Sequence, residues 1–326
     1  MMTFRLRTVL TAISLCFLTF AWAGEDGVIR ILGVGNSFTV NSEKFLPQIV
    51  SADPEIKAVI AGAIIGGCPL DKHVALAKAH EADPEKGKAY NYKIDGKHQK
   101  GGASLKEILE DQAWDYVTIQ QVSTKSYKPE TYTPYTQELV EYIRKYAPQA
   151  EIVIHETWSH SVNSYRATNW KLDPREMYQK LHAAYGAIAE EFDLRVIPVG
   201  TSFERARATE MWDEQPVEID VNALNYPEEK DQLPALKNSL NRVFYWKKNK
   251  DGKWSVGCDG YHAGQSGEYL GGLVWYAFFF EKDPRELTYK PDSLTEEQAA
   301  SLREVAFQTV FESLEPTDKS SSSEEK

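Results

Sequence analysis

Short apolar runs rich in branched residues recur along the chain and alternate with stretches of helical spacing. Residues 28–34 form the first run, closed by Gly35, and read as a buried strand. Residues 58–65, stopping at Gly66-Gly67, give a second strand, 116–119 a third, 152–154 a fourth and 194–199 a fifth. Ser42 is placed to cap a helix through residue 50, and helical spacing recurs over 70–79, 105–109, 135–146 and 177–192. Strand and helix in alternation predict an α/β fold: a three-layer α/β/α sandwich around a central, mostly parallel sheet of about five strands, with right-handed crossovers. Ligands of such sheets bind beyond the carboxyl ends of the strands, so the loops after Val34, Ile65 and Ile119 are the ones to search for chemistry.

Two stretches break the alternation. Residues 86–102 and 211–253 are polar, aromatic and interrupted by Pro, Asn and Gly, and are predicted to be insertions, the second with a hairpin ending at Trp254. Attached to a regular core, they either wall a substrate cleft or decorate a remote surface. The aromatic run 275–280 has helical spacing and reads as core, and a helix over about 295–314 closes the fold. From Lys319 the chain is a Ser/Glu/Lys tail, expected to be disordered.

Ahead of the first strand, Arg5 and Arg7 precede an apolar run over 9–20 that ends in Ala21-Trp22-Ala23, the pattern of a signal peptide over 1–23. Its apolar core falls short of the roughly 20 residues a spanning helix needs, and no later segment is longer. Export to the periplasm or the exterior is the expectation, with no membrane span after cleavage. Residues 24–318 are enough for one large domain. Losing Arg5 and Arg7 with the leader takes the net charge from −11 to −13, a surface that repels phosphate backbones and argues against a nucleic-acid partner. Oligomeric state has no signature in the sequence.

Chemistry concentrates at a few points. Gly35-Asn36-Ser37-Phe38-Thr39 follows the first strand directly, where a sharp turn presents a hydroxyl at the sheet edge and points backbone amides into the same space. Far along the chain, Cys258-Asp259-Gly260-Tyr261-His262 offers a base for that hydroxyl and, three residues earlier, a carboxylate to orient the imidazole. Acyl transfer also needs oxyanion donors. Backbone amides at Ser37 and Gly67 are candidates, and so are the side chains of Gln120 and Gln121 at the end of the third strand. Strand alternation sends one glutamine into the site and the other away, without saying which. The five-residue spacing of His155 and His160 is not the helical four of a zinc-protease motif, and favours a role lining or supporting the cleft over metal binding. His73 falls on the helix after Gly67, where it borders the site or caps polar groups.

In this order the motifs resemble the SGNH (GDSL-like) hydrolases: serine after the first strand, glycine after the second, an amide after the third and Asp-x-x-His near the end. Gly35-Asn36-Ser37-Phe38, Gly66-Gly67-Cys68-Pro69-Leu70 with His73, Asp115 to Gln121, and Asp259-Gly260-Tyr261-His262 followed by Tyr269-Leu270 and Val274-Trp275-Tyr276 look like a bacterial branch of that superfamily labelled as a domain of unknown function. The resemblance implies a flavodoxin-like sandwich, no metal and no cofactor. It also implies ester hydrolysis through an acyl-enzyme on Ser37, with Asp259 and His262 completing the triad and Gly67 in the oxyanion hole. Two departures stand out: the usual Gly-Asp-Ser-Leu reads Gly-Asn-Ser-Phe, and the Gly-x-Asn-Asp block is absent, with Gln120 or Gln121 in its place.

Cys68 and Cys258 adjoin the two loops that meet at this edge, and in an exported protein they either form a disulfide, worth about 4–5 kcal/mol in the chain-entropy model, or remain two free thiols. The substrate class that fits is a small-molecule or glycan ester, plausible for an O-acetyl group on a carbohydrate. A carbohydrate-binding protein that kept the fold and lost turnover is the competing reading: the intact Ser, Asp and His speak against it, the missing Asn block for it. No metal cluster or Arg clamp suggests a phosphate or sulfate ester.

Overall fold

The computed structural model of the protein describes residues 26–166 and 171–312. The proposed leader over 1–23, the end of the closing helix and the tail from Lys319 lie outside the described residues. Seven strands form one sheet: β1 (Ile29–Gly35), β2 (Ala58–Ile64), β3 (Tyr90–Ile94), β4 (Lys97–Ala103), β5 (Tyr116–Ile119), β6 (Glu151–His155) and β7 (Arg195–Ile197). Their spatial order is β4-β3-β2-β1-β5-β6-β7. The five predicted strands, β1, β2, β5, β6 and β7, pair in parallel, with Gly33 opposite both Gly62 and Thr118.

Strand alternation divides the interior into two layers. Ile31, Ile60, Tyr116 and Val153 face one side, packed on α1 (Ser37–Glu43), α2 (Leu46–Ser51), α7 (Val199–Arg207), α8 (Gln265–Phe280) and α9 (Glu296–Phe311). Leu32, Val34, Val117, Ile119 and Ile154 face the other, packed on α3 (Leu70–Ala82), α4 (Leu105–Leu109), α5 (Tyr135–Tyr146) and α6 (Pro174–Phe192). The result is the expected α/β/α sandwich. The aromatic run of α8 is core: Trp275, Tyr276, Phe279 and Phe280 are all buried. Truncating a buried Trp or Phe of this kind costs about 3–5 kcal/mol. No helix among the described residues is long and apolar enough to cross a membrane.

Three expectations are corrected. Residues 86–102 are not a loop insertion. They carry β3 and β4, an antiparallel hairpin that extends the sheet beyond β2 through a two-residue Asp95-Gly96 turn with positive φ at both positions, the geometry a tight hairpin requires. The helix expected from Ser42 through residue 50 is instead two: α1 begins at Ser37, with Asn36 at the cap accepting a hydrogen bond from Phe38 N and Ser42 buried inside it, and α2 begins at Leu46. Finally, the hairpin predicted to end at Trp254 runs on: β8 (Phe244–Lys248) pairs with β9 (Trp254–Cys258), which delivers the chain to Asp259.

Segment 239–243, the end of the second insertion ahead of β8, is no remote decoration. Arg242 N donates to the His262 carbonyl at 3.0 Å, Gly260 N to the Arg242 carbonyl at 2.8 Å, and Asp259 N to the Val243 carbonyl at 2.8 Å. The segment is therefore a backbone brace for the Asp-x-x-His turn.

Candidate active site

β1 ends at Gly35, Asn36 turns the chain, and Ser37 is the first residue of α1. This sets the hydroxyl at the carboxyl edge of the central strand and at a helix N-terminus, where unpaired amides favour developing negative charge. From the far end of the chain, β9 and the 239–243 brace bring His262 onto it. His262 Nε2 lies 2.8 Å from Ser37 Oγ, and His262 Nδ1 lies 2.9 Å from Asp259 Oδ2. A proton on Nδ1 shared with the carboxylate leaves Nε2 as the acceptor facing the serine, the arrangement a base needs to take the hydroxyl proton.

Asp259 is 3% exposed, and its donors among the described residues lie on the turn or its brace. Oδ1 accepts from Tyr261 N at 3.2 Å and His262 N at 3.0 Å, and Oδ2 accepts from Arg242 Nη2 at 2.7 Å. Burial opposes ionisation, but the hydrogen bonds from the His262 ring and backbone, with Arg242, outweigh it and hold the carboxyl well below the usual range. The turn depends on Gly260, whose φ of +73° is left-handed and whose α-carbon packs directly on Ser164.

Around a carbonyl held by Ser37, the amides of Ser37 and Gly67 have no hydrogen-bond partner among the described residues. Gly67 adopts φ +60°, and the space beside its α-carbon is open. Both are therefore available as oxyanion donors. The glutamine side chains are engaged with neighbouring loops. Gln120 Nε2 donates to Asn36 Oδ1 at 2.8 Å, while its Oε1 accepts from Thr39 Oγ1 at 2.8 Å. Gln121 turns the other way: its Oε1 accepts from Leu70 N and Val122 N, and its Nε2 donates to the Thr131 carbonyl at 3.0 Å. Alternation does separate the two side chains, and both join loops.

The disulfide is also corrected: Cys68 and Cys258 are free thiols. Cys68 is buried with its Sγ 3.7 Å from the Pro69 carbonyl, whereas Cys258 points its Sγ at the Asn163 carbonyl, 3.4 Å away. Each thiol thus has its own backbone partner. Burial pushes the Cys68 thiol up to about 12.

His73, His155 and His160 are all buried. His73 is buried with Nδ1 2.8 Å from Tyr90 Oη, and burial lowers its pKa to about 4. His155 lies under α1 with Nε2 3.2 Å from Ser42 Oγ, lowered by burial to about 3, and His160 is buried behind the Tyr261 ring. Among the described residues no three His, Cys, Asp or Glu side chains group as a metal site.

A serine at the turn after the first strand, a glycine after the second and an Asp-x-x-His turn near the end, on a mostly parallel α/β/α sheet, form the arrangement that the resemblance to the SGNH (GDSL-like) hydrolases implies. The chain belongs to the family described as Domain of unknown function (DUF4886), which matches residues 30–230. A crystal structure of a DUF4886 family protein from Bacteroides uniformis superposes with a TM-score of 0.67 at 23% identity, covering 86% of this chain and 93% of that one. The two share the fold. More distant are a protein from Slackia heliotrinireducens provisionally assigned as an SGNH hydrolase (TM-score 0.45, 19% identity, 76% and 97% covered) and the lipase/acylhydrolase from Enterococcus faecalis (0.41, 12%, 81% and 99%). No curated protein matches the chain.

Proposed function

We propose that the protein is an exported serine esterase. Ser37 Oγ attacks an ester carbonyl while His262 takes its proton, the Ser37 and Gly67 amides receive the oxyanion, and His262 returns the proton to the departing alcohol. Water then repeats the sequence on the acyl-enzyme and releases the acid. The observation that carries this reading is the unbroken chain of 2.8 and 2.9 Å contacts from Ser37 through His262 to Asp259.

A small acyl group on a carbohydrate is the substrate this reading favours. Export gives access to glycans. Turnover of p-nitrophenyl acetate by the purified protein and by Ser37→Ala, followed by a panel of acetylated glycans, tests both parts. Loss on the order of 10³-fold or more is expected in the variant. Equal, slow hydrolysis by both proteins would end the serine-esterase reading and leave a binding protein on the same fold.

A further inference from the structure

Arg242 sits on the one carboxylate oxygen that also holds the imidazole. Its Nη2 is 2.7 Å from Asp259 Oδ2, and His262 Nδ1 is 2.9 Å from the same atom. The approach is built in at both ends. The Arg242 backbone is clamped across the turn by its bonds with His262 and Gly260. Its guanidinium lies 4.7 Å above the Tyr245 ring, and Tyr245 in turn lies flat over Gly257, where a β-carbon would come within 2.6 Å of it. The guanidinium is half exposed while the carboxylate is buried, so the pair places a fixed cation at the outer wall of the site.

The electrostatic consequence follows from the reaction. When His262 takes the serine proton, the imidazolium faces Asp259. With Arg242 on Oδ2 it meets a carboxylate already paired with a cation, and so gains less than from a bare one. Other charged or titratable groups facing the turn are Glu268 of α8, bound by Asn41 at 2.9 Å, Lys44 beyond α1, Tyr245 of β8, Tyr261 on the turn itself, and His160 and Arg166 from the segment after β6.

We propose that Arg242 is a positioning residue that sets the acid limit of the reaction, holding Asp259 in register while weakening its pull on the imidazolium. The proposal rests on the serine-esterase reading of Ser37 and His262.

The test is the pH profile of kcat/KM for p-nitrophenyl acetate with wild type, Arg242→Gln and Arg242→Lys, beside an NMR titration of the His262 ring in each protein. Arg242→Gln is expected to move the acid limb and the ring titration upward by about one pH unit, a value discounted for the solvent around a half-exposed guanidinium. Arg242→Lys, which keeps the charge, restores both. A Gln variant that loses rate evenly at all pH values, with the ring titration unmoved, makes Arg242 a structural brace and overturns the proposal. Should Arg242→Gln not fold, Tyr245→Leu, which frees the guanidinium, is expected to shift the ring titration in the same direction by a smaller amount, and an unmoved titration is equally fatal. The ring titration needs no turnover, so failure of the esterase reading shows separately, as hydrolysis that Ser37→Ala does not reduce.

Discussion

Gln120 Nε2 donates to Asn36 Oδ1 across 2.8 Å, and Asn36 Nδ2 passes the link on to the Cys68 carbonyl at 3.1 Å. This buried amide relay ties the turns after β1, β2 and β5 together, and thereby fixes the Ser37 amide relative to the Gly67 amide. It also accounts jointly for the two departures from the family pattern. An aspartate at 36 cannot donate to Cys68, and a shorter amide in place of Gln120 would start farther from Asn36.

Asn36→Asp should therefore leave the Cys68 carbonyl facing a carboxylate oxygen with no proton between them. Leaving a buried polar group unsatisfied costs about 1–3 kcal/mol, so urea unfolding should show a loss of that size. Because Cys68 directly follows Gly67, whose amide is the proposed oxyanion donor, kcat should fall about 10- to 100-fold with KM changed less. Unchanged stability and kcat would show that the relay is not what holds the two amides.

The strands of the central sheet were legible because each is buried on both faces and reads as a continuous apolar run. The outer hairpin was only half legible. β3 alternates as Tyr90-Asn91-Tyr92-Lys93-Ile94 and is followed by an Asp-Gly turn, but β4 exposes every residue from Lys97 to Gly102 and carries no period. At the site, Ser37, Asp259 and His262 could be found because their spacing encodes a chemical requirement. Arg242 could not: its partner lies 17 residues on, across a hairpin in a segment without periodicity. Nor does sequence give side-chain direction, which is what gives each thiol its own backbone partner and engages both glutamines with neighbouring loops.

Gly260 offers a sharper test of the turn than the reacting residues do. Its φ is +73°, and a β-carbon there would stand 2.3 Å from Ser164 Cβ and 2.5 Å from Ser164 Cα, atoms that cannot swing away as a side-chain tip can. At Gly67, with φ +60°, a β-carbon meets nothing within 4 Å. Gly260→Ala should therefore combine backbone strain with overpacking and cost about 2–4 kcal/mol, whereas Gly67→Ala should cost about 1 kcal/mol from strain alone. Equilibrium urea unfolding of the two variants checks the order, and similar losses would contradict it.

His182 on α6 gives the fold a pH dependence remote from the reaction. Its Nδ1 is 2.7 Å from Glu156 Oε1, while Glu156 Oε2 is held by Thr201 N at 2.7 Å and Thr201 Oγ1 at 2.9 Å. The Glu156 hydrogen bond raises the pKa of His182, against the lowering effect of its partial burial. A group raised in the folded state binds its proton more tightly there than in the unfolded chain. Its contribution is fully present below the unfolded value of about 6.5 and disappears as pH climbs through the raised folded value. Wild type should lose thermal stability from pH 6 towards pH 8.5, and His182→Gln should flatten that part of the slope while leaving the melting temperature near pH 8.5 little changed. The His182 ring is about half exposed, so the effect is modest, a few degrees at most. Melting curves of both proteins across this interval decide it: parallel slopes would mean that the Glu156 contact does not couple proton binding to folding.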